Sequence, residues 1–243
     1  MNAFPRAPLS PREREAIVAR LYEHGTALLK AGIHIELTWD FNTLKSANRI
    51  AIQRGGIPLM PLFDPERTGL GSSNAFGLIG RVDGAPVCTV AGVLRHVDVG
   101  LQDSLEDLTL LYDRAALDLE PDAWCEVDAD GLNDIRGRVL MLGALWRDPA
   151  LRTATDAGAV GEHLFAMAVL NGYRIHKPNY FAGMMAAGDV EWLGYDKERF
   201  RQFHHGVRYV DADWPHTDAT TRSALVTMSR ARMKAMFLGL PAV

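Results

Sequence analysis

The feature that most constrains the fold of this chain is a strand that leads through a short polar loop into a helix. The apolar run Gly137–Trp146 predicts a buried strand, and Ala157–Val169 carries apolar residues at helical spacing. A helix that begins just after a strand directs its free N–H groups and the positive end of its dipole at one spot, where a phosphate can bind. The loop 152–157, RTATDA, lacks the glycines usual in such loops and contains an acid. A plain turn that binds nothing therefore stays an open alternative.

The order of the remaining segments predicts a single α/β domain with helical additions at both ends. Two apolar, β-branched runs, Phe76–Val82 and Pro86–Val97, are separated by Asp83-Gly84-Ala85, which is typical of a β-hairpin. A capping box with proline at the first helical position predicts a helix over 11–30. Asn171-Gly172 predicts the end of the helix that starts at Ala157. The other predicted helices cover 43–53, 104–119 and 217–238, and the other predicted strands cover 33–39, 124–128, 179–185 and 203–210.

Composition argues against several classes of partner. A formal net charge of −4 argues against a dedicated nucleic-acid binder or a protein of anionic membrane surfaces. No apolar run approaches the roughly 18 residues that a membrane-spanning helix needs. The first residues also lack the apolar stretch of a secretory signal, so the expected compartment is the cytoplasm.

The order of elements, together with one motif, resembles the GNAT acyltransferase superfamily. The motif is the lead-in LW-x-x-P-x-x-R, present as Leu145, Trp146, Pro149 and Arg152. The resemblance covers about residues 76–210 and implies a mixed, mostly antiparallel central sheet flanked by helices. On this basis residues 1–75 are expected to form an N-terminal helical extension packed on the core. Residues 76–243 are expected to form the GNAT-like domain, which ends in a C-terminal helix.

The resemblance also implies a cofactor site, in which the loop amides hold the pyrophosphate of acetyl-CoA or another acyl-CoA. Arg152 takes the place of the family's Arg/Gln, and Ala157 takes the final Gly/Ala place. Thr155 stands where the first motif glycine belongs, and Asp156 would repel an anion. The residues expected to bind the cofactor are Leu145, Trp146, Arg147, Arg152, Thr153, Ala154, Thr155, Ala157 and Gly158.

The implied reaction is N-acylation, with acetyl transfer to an amine of a small molecule or a peptide by direct attack on the thioester. Glu126 is the candidate base, and Tyr195, in WLGYDKERF, is the candidate acid that protonates the leaving thiolate. Because Thr155 and Asp156 depart from the family pattern, one alternative is a GNAT-fold protein that has lost CoA binding and serves as a binding or assembly module. Another alternative is a different acyl or aminoacyl carrier, for which the loop is reshaped.

Two further expectations concern metals and assembly. No metal site is predicted, because His163 has no second histidine four residues away and the adjacent His204 and His205 would face opposite sides of a strand. The Met/Phe face of RMKAMF, residues 232–237, is expected to pack against the domain or against a second subunit, so a homodimer is an option.

Overall fold

The structure is a computed structural model, and it describes residues 8–113, 122–128, 131–153, 157–186, 202–210 and 223–241. In this part of the chain, eight strands form one sheet in the order β1-β2-β3-β5-β6-β8-β7-β4. The strands are β1 (His34–Thr38), β2 (Ala75–Val82), β3 (Ala85–Val97), β4 (Trp124–Val127), β5 (Gly137–Arg147), β6 (Tyr180–Ala186), β7 (Gln202–Val210) and β8 (Ser223–Ser229). Only β5 and β6 pair in parallel, and the other neighbouring pairs in this sheet are antiparallel.

Helices cover both faces of the sheet. They are α1 (Pro11–Lys30), α2 (Phe41–Gln53), α3 (Leu101–Glu106), α4 (Ala157–His176) and α5 (Arg230–Met233), and a π-helical turn, Lys234–Leu238, continues α5. Short 3-10 turns occur at Pro61–Phe63, Leu132–Asp134 and Pro149–Thr153. The predicted mixed, mostly antiparallel sheet flanked by helices is confirmed. Within the described ranges, no helix has the length and apolar character needed to cross a membrane.

Local sequence explains where several elements begin and turn. The predicted capping box starts α1, since the Ser10 Oγ accepts a hydrogen bond from the Glu13 amide at 3.2 Å and the Ser10 amide donates to Glu13 Oε2 at 2.7 Å. The turn between β2 and β3 consists of Asp83 and Gly84, with φ of 49° and 80°. Two successive residues with positive φ are characteristic of the tightest hairpin turn, so the loop has two residues rather than the predicted three.

Two apolar layers hold the helices to the sheet. One contains α2, the segment around Phe63, and α3 with the residues that follow it, all packed on side chains such as Ala91, Val139 and Met141. The opposite layer contains α1, α4 and the C-terminal turns, packed on side chains such as Leu140 and Leu142. Residues before position 75 contribute to both layers, and β1 belongs to the common sheet. The domain boundary at residue 75 stays a prediction.

The structure differs from the predicted elements in three places. The helix predicted over 104–119 is the shorter α3, and residues 114–121 lie outside the described ranges. The helix that starts at Ala157 runs through Asn171-Gly172 to His176. Of the helix predicted over 217–238, Ser223–Ser229 is the strand β8, and helical turns cover only Arg230–Leu238.

The strand β8 was wrongly predicted as helix because it lies inside the sheet, between two other strands. It pairs with both β6 and β7, and its residues from Ala224 to Met228 are all buried. A strand that is covered on both faces has a continuous apolar run instead of an alternating one, so periodicity does not separate it from a buried helix.

The C-terminal turns pack against the domain itself. Met233 is fully buried, and Met236 and Phe237 pack against the layer that contains α1 and α4. The ring of Phe237 lies 6.4 Å from that of Phe165 on α4, measured between centroids. The Met/Phe face therefore has an intramolecular role, and the homodimer stays a prediction.

Candidate functional site

The two parallel strands at the centre of the sheet separate before they end. β5 pairs with β6 only over Val139–Leu142, opposite Tyr180–Gly183. Beyond this point β5 continues beside β3 as far as Arg147, while β6 continues beside β8. A gap therefore opens between the carboxyl ends of neighbouring parallel strands, which is where sheets of this kind commonly bind ligands.

A bulge in β5 lies at the start of this gap. Opposite β3, the register passes from Ala91–Gly143 to Thr89–Trp146, so β5 holds one extra residue. Ala144 in the bulge has a φ of 51°, which is unusual for a residue with a side chain. The buried Thr89 stabilises this conformation, because its Oγ1 donates a hydrogen bond of 2.7 Å to the Ala144 carbonyl. Bulges of this kind redirect backbone groups out of the ladder and are frequent beside functional sites.

A fixed corner follows β5. Asp148 is buried, and its amide donates to the Val87 carbonyl at 2.8 Å. Its Oδ1 accepts a hydrogen bond from the Ala150 amide at 2.9 Å, and its Oδ2 pairs with Arg54 at the end of α2. The 3-10 turn Pro149–Thr153 is thereby held against both the sheet and α2.

The corner leads to the first turn of α4. Only residues 154–156, which lie outside the described ranges, separate Thr153 from Ala157. Consecutive Cα atoms are about 3.8 Å apart, so the helix begins within about 15 Å of the corner. The N-terminal amides of α4, a helix of 20 residues, supply donors and a partial positive charge on this side of the sheet.

The structure brings part of the predicted cofactor set together. Leu145 and Arg147 lie on β5 at the gap, and Ala157 and Gly158 begin α4. Leu145 packs in the layer that contains α4. Arg152 and Thr153 belong to the 3-10 turn, whereas Ala154 and Thr155 lie outside the described residues.

Trp146, the next predicted residue, is buried on β5 just beyond the bulge. Its ring lies so close to Gly56 that a Cβ on that glycine would stand 2.8 Å from Trp146 Cδ1. Its Nε1 is buried, and among the described residues it has no hydrogen-bond partner. Trp146 thus fixes the contact between β5 and the end of α2.

Only one of the two predicted catalytic residues, Glu126, belongs to the part of the chain that the structure describes. Tyr195 lies outside the described residues. Glu126 lies on the edge strand β4, where its side chain is 51% exposed and its Oε2 is 2.5 Å from Arg208 Nη2. β4 is four strand positions from β5, or about 19 Å along the sheet at the usual strand spacing. Glu126 is therefore not beside the bulge.

Sequence reasoning missed three contributors to the site. Asp148 directly before Pro149 has the pattern of a cap residue and could have been recognised as one. Thr89 offered a weaker signal, as a polar residue inside an apolar strand. The positive φ of Ala144 had no sequence signal, because alanine gives no indication of a left-handed backbone.

Comparisons with known proteins give structural similarities only. No family model matches the chain, and no curated protein matches it. Among solved structures, it is similar to FeeM, an N-acyl amino acid synthase from uncultured soil microbes, with 13% identity and a TM-score of 0.45 over 85% of this chain and 95% of that one. It is also similar to an agmatine N-acetyltransferase in its apo form, with 13% identity and a TM-score of 0.44 over 80% of this chain and 99% of that one. An acetyltransferase from Streptococcus agalactiae matches over 93% of this chain and 96% of its own, with 11% identity and a TM-score of 0.36. At these scores the matches carry no inference about activity.

Proposed function

We propose that this protein is an acyl-CoA-dependent N-acyltransferase that transfers an acetyl group from acetyl-CoA to an amine of a small molecule or a peptide. The observation that carries the proposal is the gap between β5 and β6, which begins at the bulge around Ala144 and leads through a fixed corner to the N-terminus of α4. A gap at the carboxyl ends of parallel strands that leads to a helix N-terminus can hold a ligand with an anion at that end.

The residues around the gap fit such a co-substrate. The amides at the start of α4 and the side chain of Arg152 would hold the pyrophosphate, together with the backbone of Thr153, Ala154, Thr155 and Gly158. The backbone of Leu145, Trp146 and Arg147 would line the arm that carries the thioester. When bound, the thioester supplies an electrophilic carbonyl carbon and a sulfur leaving group.

The chain itself would orient the reactants and move protons. Backbone N–H groups that a bulge leaves outside the ladder can donate to the carbonyl oxygen as negative charge develops there. We infer that Tyr195 gives a proton to the departing sulfur through its phenolic oxygen. Glu126 would accept the proton of the amine, and because β4 lies four strand positions from β5, that proton would travel to Glu126 through intervening water.

A thermal titration tests the cofactor part of the proposal. Acetyl-CoA at about 100 times its dissociation constant should stabilise the folded protein by about 2.7 kcal/mol, seen as a rise in the melting midpoint. Arg152→Ala should weaken this shift, because it removes a cation from the pyrophosphate site. Arg49→Ala, which alters an exposed arginine on α2, is the matched control and should leave the shift unchanged.

The same titration separates the alternatives. No shift with millimolar acetyl-CoA or CoA would overturn the acetyl-CoA proposal and favour a binding or assembly module. Replacing both Thr155 and Asp156 with glycine would then be expected to create CoA binding. If the wild-type protein binds tightly and this double variant binds less well, the loop is adapted to its ligand in its present form. Release of free thiol in the presence of an amine would report the transfer itself.

A further inference from the structure

Two histidines meet where α1 packs against α4. The Nδ1 atoms of His24 and His163 are 2.9 Å apart, and the rings are tilted by 51° with centroids 5.2 Å apart. At the other end of the same helix pair, Tyr173 donates to Glu13 Oε1 at 2.6 Å. The two contacts show that α1 and α4 run antiparallel, with the histidine pair near the start of α4 and the end of α1.

We propose that His24 and His163 together bind a divalent transition-metal ion of the zinc class, which would join α1 to α4. The distance between the ligand atoms is the first support. Two nitrogens on one tetrahedral Zn²⁺, each bonded at 2.0–2.1 Å, are about 3.3 Å apart. The observed 2.9 Å separation therefore needs a movement of only a few tenths of an ångström. Both atoms already lie on the facing sides of the two rings, so a rotation of the rings would direct both lone pairs at one ion.

The chemistry of the pair is the second support. Only one proton fits between the two Nδ1 atoms, so one nitrogen donates and the other directs its lone pair inwards. Imidazole nitrogen in its neutral form is a preferred ligand of Zn²⁺.

Access and local charge also suit a cation. Both histidines are half-buried, so solvent can reach the pair and water can complete the coordination sphere. Arg20 and Glu23 form a salt bridge of 2.7 Å, so the arginine charge beside the pair is already balanced.

Zinc titration of the whole chain tests the site. Calorimetry with ZnCl₂ at pH 7.5 should show a binding event that is absent with MgCl₂, because magnesium prefers oxygen ligands. His24→Gln and His163→Gln should each weaken that event about ten-fold or more, since even the loss of a supporting partner costs 10–100-fold at metal sites. His34→Gln, which changes an exposed histidine on β1, is the matched control and should bind zinc as the wild type does.

A second readout makes the result independent of folding defects in a variant. Zinc should raise the melting midpoint of the wild type at pH 7.5, and the rise should vanish at pH 5, where protons compete for the same nitrogens. Equal zinc affinity in the wild type and in both variants would overturn the proposal, as would the absence of any zinc binding. In either case the pair would be a hydrogen bond between the helices and nothing more.

Discussion

Glu13 joins three segments of the protein through one carboxylate. Its Oε1 accepts a hydrogen bond from Tyr173 on α4 and lies 2.7 Å from Lys234 Nζ, while its Oε2 accepts from the Ser10 amide. Burial by itself would raise the pKa of Glu13, but the hydrogen bonds from Lys234, Tyr173 and Ser10 outweigh it and lower the pKa to about 2. The first turn of α1 is thereby tied to α4 and to the C-terminal turns.

The depressed pKa of Glu13 predicts a stability that depends on pH. The folded pKa of about 2 lies below the usual 4.5. The contribution of Glu13 to the free energy of unfolding is therefore fully present above pH 4.5, and it is lost as the pH falls towards 2. We expect Glu13→Gln to lower the free energy of unfolding by about 2 kcal/mol at pH 7 and by less than half of that at pH 3. Urea unfolding at both pH values measures this. Glu15→Gln, on the exposed side of α1, is the control, and an equal loss at both pH values would contradict the charge-based explanation.

Single residues of this kind are only partly predictable from sequence. The capping box at Ser10 and Glu13 was recognisable, since both partners lie within one turn. The bonds from Tyr173 and Lys234 join residues that are far apart in the chain, and no local pattern marks them. Thr89 and Ala144 in the site are likewise 55 residues apart.

At the scale of elements, α4 shows why a stop signal failed. Asn171 is buried, and its Nδ2 donates to the Met167 carbonyl at 2.9 Å inside the helix. Gly172 lies against β5, where a Cβ would stand 2.2 Å from Leu140 Cδ2. The two residues therefore serve the packing of the helix on the sheet and do not end it. Tertiary contact outweighs local preference here.

This packing predicts opposite effects for two glycines of α4. Helix propensity alone would make Gly172→Ala stabilising, but the overlap with Leu140 should lower the free energy of unfolding by about 1–3 kcal/mol. Gly161→Ala is the control in the same helix, because nothing lies within 4 Å of the added Cβ. It should be neutral or stabilising by up to about 1 kcal/mol. Thermal or denaturant unfolding measures both, and a stabilised Gly172→Ala would mean that α4 packs less closely than described.

At the scale of the whole molecule, sequence order was informative where partners are close in the chain. The β2–β3 hairpin and the passage from β5 to α4 were predictable, because a short turn and a helix start carry their own residue signals. The position of β4 could not be predicted, since Trp124 pairs with Val210 and β5, α4 and β6 lie between these two residues in the chain. The gap between β5 and β6 could not be predicted from the sequence either, because it depends on where the pairing of two separate strands ends.

The position of that gap predicts where a ligand will protect the backbone. Hydrogen exchange in the presence of acetyl-CoA should slow at residues 143–147 and 157–160, because the bulge and the first turn of α4 line the proposed site. CoA without the acetyl group should give the same protection in α4 and less at the bulge, where the acyl carbonyl is expected. Residues 124–127 of β4 serve as the internal control and should not change, since this strand lies at the far edge of the sheet. Protection confined to β4, or none in α4, would place the ligand elsewhere and exclude the β5–β6 gap as the cofactor site.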